Sequence, residues 1–162
     1  MRIVLVKPPT LQASYYLPLG LAYLAAVLEQ ANHQVQILDL SVARTSSQEF
    51  KSRLSSSRPD IIGITCMFTE FNSTIDTAVL CKEANHSVPV VVGGPLPTSI
   101  PQAFLGRPEV DIVVIGEGED TMVELTRRLE GNTSLEGVAG TAYKEKGKVV
   151  FNPPRSAISD IN

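Results

Sequence analysis

Short runs rich in Val, Ile and Leu recur five times along this chain, at residues 2–6, 34–40, 61–65, 88–92 and 111–115, most of them uninterrupted by polar residues. A strand wetted on one face alternates polar and apolar residues, whereas a strand covered on both faces reads as a continuous apolar run. The intervals carry helical spacing. Residues 18–31 place Leu19, Tyr23, Ala26, Val27 and Gln30 on one stripe, with Pro18 tolerated in the first turn. Residues 48–54 predict a weaker helix, and 69–85 carry Ile75, Ala78 and Val79 on an apolar side. Residues 99–105 suit a short helix, and 119–130 begin acidic and stop at Gly131-Asn132. Strands and helices alternating in this way imply a parallel sheet with helices on both faces.

The predicted fold is therefore α/β: a doubly wound, five-stranded parallel sheet in flavodoxin-like order 2-1-3-4-5. A chain of 162 residues holds one such domain with a sizeable core and little more. Residues 139–143 and 148–151 flank Lys144-Glu145-Lys146-Gly147 and predict a C-terminal β-hairpin able to extend the sheet edge. Residues 1–137 are assigned to the Rossmann-like body and 138–152 to the hairpin of the same domain. Residues 153–162, which begin Pro153-Pro154-Arg155 and lack periodicity, are assigned to the start of a linker.

Composition narrows the function. The net charge of -3, from 14 basic and 17 acidic side chains with no polybasic run, argues against nucleic acid as a partner. No stretch approaches the roughly 20 apolar residues of a membrane span, and the amino terminus is too short for a signal core, so no membrane partner and a cytoplasmic location are expected. Cys66 and Cys81 form no metal-type pair and are expected to be reduced. His33 is expected at the surface, and His86 lies in a turn at the opposite end of the sheet from the strands' carboxyl ends. Neither is a metal ligand candidate, and no Ser, Cys or Thr pairs with a histidine, so no catalytic residue is assigned.

In an open parallel sheet, ligands bind outside the carboxyl ends of the strands, where neighbouring connections diverge. Those ends here carry Pro8-Pro9, Thr65-Cys66-Met67, Gly93-Gly94-Pro95 and Gly116-Glu117-Gly118-Glu119, small or polar residues suited to gripping one large ligand. Each also has a structural explanation: glycines ease turns, a strand-end hydroxyl satisfies its own backbone, and carboxylates complement a helix dipole. Residues 8–17 lack the glycine fingerprint of a dinucleotide site, and no Gly-Lys-hydroxyl phosphate loop occurs. Lys7-Pro8-Pro9 and Thr65 stand where a response regulator needs carboxylates, and a flavin mononucleotide loop would have only Thr10 and Ser14. The chain reads as a binder.

Taken in order, Pro8-Pro9, residues 18–28, Asp39, residues 59–65, Val91-Val92-Gly93-Gly94-Pro95 and residues 114–119 resemble the N-terminal cobalamin-binding domain of radical S-adenosylmethionine (SAM) enzymes. That family includes methyltransferases and proteins similar to anaerobic magnesium-protoporphyrin monomethyl ester cyclase. The resemblance implies cobalamin as cofactor, its nucleotide tail inserted beside the sheet against Thr65-Cys66-Met67 and Gly93-Gly94. The implied cofactor-binding set is Pro9, Leu17, Leu19, Gly20, Thr65, Cys66, Met67, Thr69, Gly93, Gly94, Pro95, Gly116, Glu117, Gly118 and Glu119.

Better-known cobalamin domains carry Asp-x-His-x-x-Gly after the first strand, and this chain has no histidine there. The implied cofactor is therefore base-off, with no histidine lower ligand. A radical enzyme also needs Cys-x-x-x-Cys-x-x-Cys for its 4Fe-4S cluster, which Cys66 and Cys81 cannot supply. The resemblance thus places the catalytic domain, its cluster and S-adenosylmethionine after Asn162 in the parent protein, a methyltransferase or cyclase, and leaves the isolated domain inactive. The alternative is a cofactor-free, flavodoxin-like docking domain. Leucine at Gly93 or Gly94 is expected to abolish corrin binding and leave the fold largely intact.

Overall fold

β1 (Arg2–Lys7) stops where Pro8-Pro9 withholds the backbone donors a ladder needs. The computed structural model describes residues 1–10, 18–42 and 45–156. β1 lies between β2 (Gln34–Asp39) and β3 (Ile61–Thr65) and is parallel to both. β4 (Val90–Gly93) and β5 (Ile112–Val114) continue the parallel sheet beyond β3. The expected order 2-1-3-4-5 is the order observed. β6 (Thr141–Glu145) pairs antiparallel with β5 and β7 (Lys148–Phe151) antiparallel with β6, so the hairpin joins the same sheet and makes it seven-stranded. Its turn uses Lys146 and Gly147 at φ 49° and 79°, the left-handed pair that matches strand twist.

α1 (Leu19–Gln30) and α6 (Glu119–Glu130) cover one face of the sheet. α2 (Ser47–Ser57), α3 (Phe71–Ala84) and the short α5 (Pro101–Leu105) cover the other. Neighbouring residues of one strand feed both layers. Ile3 and Leu5 pack with Leu21, Leu28, Met122 and Leu125, while Val4 and Val6 pack with Phe50, Leu54, Ile75 and Phe104. Each such side chain contributes about 1.5–3 kcal/mol on burial, which is why the strands carry no polar alternation. A second short helix, α4 (Pro95–Ser99), precedes α5, because Ile100 at φ -135° breaks the segment and Pro101 starts a new turn.

α1 is rotated from the stripe read in the sequence. It buries Leu21 and Leu28, with Leu24 and Ala25 packed beside them, and leaves Leu19 and Tyr23 exposed by 61% and 65%. The helix is apolar almost all round, so its pattern does not set its rotation. His33 also departs from expectation. It is buried in the turn between α1 and β2, with Nδ1 3.2 Å from the Met1 ammonium and no partner for Nε2 among the described residues. No helix among the described residues is long and apolar enough to cross a membrane.

Candidate functional site

The outgoing connections of β1 and β3 pass to opposite faces of the sheet, so the chain diverges above their carboxyl ends. A cleft of about 200 Å³ opens at this end, on the α1/α6 side. Its existence follows from side-chain volume. On this face β3 carries Ile61, then Gly63, then Thr65, and β4 carries Val91, then Gly93, with Thr65 and Gly93 paired in register. The sheet surface therefore sinks as it nears the rim. Leu5, Gly63 and Val91 line the floor, Leu21, Leu24 and Met122 the helical wall, and Gly116, Glu117, Gly118 and Glu119 the lip.

Ideal Cβ positions show where this space is available to a ligand. A Cβ at Gly20 meets nothing within 4 Å, and one at Gly93 meets only Val114, at 3.6 and 3.9 Å. Gly63 is filled differently: a Cβ there would lie 2.9 Å from Leu5 Cδ2, so Leu5 leans into the missing side chain's place. Gly94 has another task. Its φ is 114°, and a Cβ would lie 2.7 Å from the carbonyl oxygen of Cys66 and 3.1 Å from its nitrogen. The expectation that either glycine tolerates leucine without disturbing the fold is corrected at Gly94, where the β3 exit occupies the space.

Of the expected cofactor-binding set, Gly20, Thr65, Gly93, Gly94, Gly116, Glu117, Gly118 and Glu119 line the cleft. Pro9, Leu19, Met67, Thr69 and Pro95 are exposed and outside its lining. Leu17 lies outside the described residues. Cys66 is buried on the α2/α3 side, its Sγ 3.4 Å from the Met67 carbonyl oxygen. Burial pushes its thiol up to about 11. It is therefore a neutral core residue, not a nucleophile. Glu70, absent from the sequence reading, is what fixes the turn after β3: its carboxylate accepts from the Met67 N–H at 3.0 Å, and its N–H donates back to the Met67 carbonyl at 3.0 Å. The turn holds Met67 and Phe68 outward, 49% and 64% exposed.

The lip is similarly anchored. The Gly116 N–H donates to Thr98 Oγ1 at 3.0 Å, and the Ile115 N–H donates to the Gly140 carbonyl at 2.8 Å. The Thr65 hydroxyl has no hydrogen-bond partner among the described residues. It is a polar group left over at the mouth of an apolar slot. Sequence reasoning missed Leu5, Leu21, Leu24, Gly63, Val91, Val114 and Met122, because a core side chain and a cleft wall look alike in a sequence. Only Gly63 carried a signal, as a glycine inside a strand.

This donor set fits part of a large ligand: a flat apolar ring bearing an acceptor, with the remainder outside. The cleft is smaller than the roughly 300–1,000 Å³ that encloses a whole drug-sized molecule. Its carboxylates suit amide donors. Among the described residues no cluster of three or more His, Cys, Asp or Glu is placed to hold a metal ion.

The family model of the B12 binding domain matches residues 12–126. Over its whole length the chain is 37% identical to an uncharacterized methyltransferase of Pyrococcus horikoshii and covers 37% of it. It is 26% identical to the anaerobic magnesium-protoporphyrin IX monomethyl ester cyclase of Synechocystis, again along its full length, and covers 34% of that protein. The radical S-adenosylmethionine methyltransferase TsrM of Kitasatospora setae, solved with cobalamin and a 4Fe-4S cluster, shares the fold: TM-score 0.82 over 99% of this chain and 30% of TsrM, at 22% identity. The chain thus spans about a third of the length of these relatives. With the fold, the glycine-floored cleft at the switch point and the family match agreeing, the chain belongs to the B12-binding domain family.

Proposed function

We propose that this domain holds cobalamin with its nucleotide tail in the cleft, as one module of a radical SAM enzyme that carries out methyl transfer or a related radical reaction. The slot between the sheet and α1/α6, open at Gly20 and Gly93 and edged by the unpartnered Thr65 hydroxyl, is the observation that carries this reading. Leu5, Leu24, Val91 and Met122 bury the flat base, and Thr65 donates to its ring nitrogen. Glu117 and Glu119 accept from amide groups of the corrin at the lip. When bound, cobalamin supplies a cobalt centre that carries methyl groups and reaches a strongly nucleophilic reduced state.

The residues of this chain would hold that cofactor base-off. With the base buried in the slot, the domain has no imidazole to replace it: residues 8–18 contain no histidine, and His33 and His86 lie at the opposite end of the sheet. The catalytic domain, with its 4Fe-4S cluster and S-adenosylmethionine, belongs to a longer parent chain, and the proposed setting is the cytoplasm. A cofactor-free docking role gives no reason for β4 to end in a side-chain-free residue at Gly93, where a Cβ would make only ordinary contact with Val114.

The test is an absorbance titration of the full-length protein with hydroxocobalamin, followed by desalting. Corrin that stays with the protein and shows a displaced benzimidazole supports the reading. Corrin that washes away overturns it.

A further inference from the structure

The chain leaving the hairpin does not hang free. The Asn152 side chain donates to the Leu135 carbonyl at 2.7 Å and to Thr141 Oγ1 at 2.8 Å, and its own oxygen accepts from the Gly137 N–H at 2.9 Å. The Pro153 carbonyl accepts from the Gly140 N–H at 2.8 Å. Arg155 then folds onto α6: Nε donates to Thr121 Oγ1 at 2.9 Å and to the Ala139 carbonyl at 3.3 Å, and Nη2 pairs with the Glu124 carboxylate.

Thr121 is fully buried at the centre of this knot, and the knot reaches the cleft. Its hydroxyl lies 3.4 Å from the carbonyl of Glu117, a lip residue, and Met122 and Glu119, beside it on α6, line the cleft. The knot is tight. Gly140 has φ 76°, and a Cβ there would lie 2.9 Å from Thr121 Oγ1 and 3.3 Å from Arg155 Cβ.

We propose that Arg155 is a positioning residue for the cleft: it ties the exit of the chain to the first turns of α6, so that a pull on the segment after Arg155 moves the α6 wall and lip. This rests on the reading of the cleft as a cobalamin site. A guanidinium is suited to the task because its planar fork spans a hydroxyl, a carbonyl and a carboxylate at once, which an ammonium on a flexible stem does not. The coupling is reciprocal, so a ligand seated in the cleft must also tighten the knot.

Arg155→Ala, Arg155→Lys and Glu124→Gln are compared with wild type in the full-length protein, by hydroxocobalamin titration and by amide hydrogen exchange. Arg155→Ala is expected to weaken corrin binding roughly tenfold, within the usual range of coupling between sites, and Glu124→Gln less. Arg155→Lys is expected to recover only part of the loss. Without ligand, exchange at the Met122 N–H, which donates to the Gly118 carbonyl at 2.7 Å, should quicken in Arg155→Ala. In wild type, corrin should slow exchange at the Gly140 N–H. Leu54→Val, in the core of the opposite face, serves as a control for general loss of stability and should lower the melting temperature with affinity unchanged. Wild type that fails to retain corrin overturns the cobalamin reading itself. Wild type that retains it, with Arg155→Ala equal in affinity and in Met122 exchange, overturns the positioning role alone, as does Leu54→Val losing as much affinity as Arg155→Ala.

Discussion

Gly93 and Gly94 are adjacent, yet the structure assigns them opposite sensitivities. At Gly93 the built Cβ points toward the cleft with its nearest neighbour, Val114 Cβ, at 3.6 Å, an ordinary contact. Leucine there gains about 1.5–3 kcal/mol by burying its side chain in the slot and about 0.4–1 kcal/mol from a stiffer unfolded chain. Overpacking against Val114 costs about 1–3 kcal/mol. The sum runs from about 1 kcal/mol destabilising to about 3 kcal/mol stabilising, so Gly93→Leu should melt no more than about 4 °C below wild type while its side chain occupies the ligand's place. At Gly94, whose φ of 114° and ψ of -174° essentially only glycine adopts, alanine alone costs about 1–3 kcal/mol. Its Cβ also meets the Cys66 carbonyl oxygen at 2.7 Å, an atom that cannot rotate away. Displacing that backbone adds about 1–3 kcal/mol, so Gly94→Ala should melt about 5–15 °C lower. Circular dichroism melts and hydroxocobalamin retention after desalting read the two effects separately. Gly93→Leu binding corrin like wild type, or Gly94→Ala melting like wild type, would refute the assignment.

Other consequences are narrower. Thr65→Val keeps the shape and removes the cleft's unpartnered hydroxyl, so corrin affinity should fall about fivefold, one hydrogen bond of about 1 kcal/mol, with the melting temperature almost unmoved; equal affinity would show that Thr65 makes no bond to the ligand. Burial, followed by the Met1 ammonium and Arg127, lowers the pKa of His33 from 6.5 against the opposing pull of Glu130. The unfolded chain then binds more protons than the folded one just below pH 6.5, so stability is full above that value and is lost as pH falls through it. Urea midpoints at pH 7.5 and about 5.5 should therefore differ more in wild type than in His33→Gln, and identical differences would remove His33 as the source. Burial also pushes the thiols of Cys66 and Cys81 up to about 11 and about 12. Neither should react with a thiol reagent at about pH 8 until the protein unfolds; rapid labelling of the native protein would contradict their place in the core.

The fold was legible because its determinants are local and repetitive. Continuous apolar strands cannot leave a face wet, so the runs at β1, β3, β4 and β5 required helices on both sides, and helical connections between them required parallel pairing. α6 was found with both ends correct, from its acidic start and its Gly131-Asn132 stop. The rotation of α1 was not legible. With apolar residues around most of its circumference, only contact with β1 and α6 decides that Leu21 and Leu28 face inward and that Leu19 and Tyr23 do not.

The sequence by itself determined the strand order, the end of the sheet where a ligand must sit and the small residues gathered there, since these follow from pattern and connectivity. Tertiary structure alone decided which of those residues share a surface. Successive strand residues point to opposite faces, so Thr65 opens into the cleft while Cys66, its neighbour, enters the opposite core. Gly93 faces the cleft beside Val114 and Gly94 faces backbone for a reason of the same kind: what surrounds a missing side chain belongs to other parts of the chain. The knot of Thr121, Gly140 and Arg155 lay wholly beyond sequence reasoning, because it joins residues that only the edge pairing of β5 with β6 brings together.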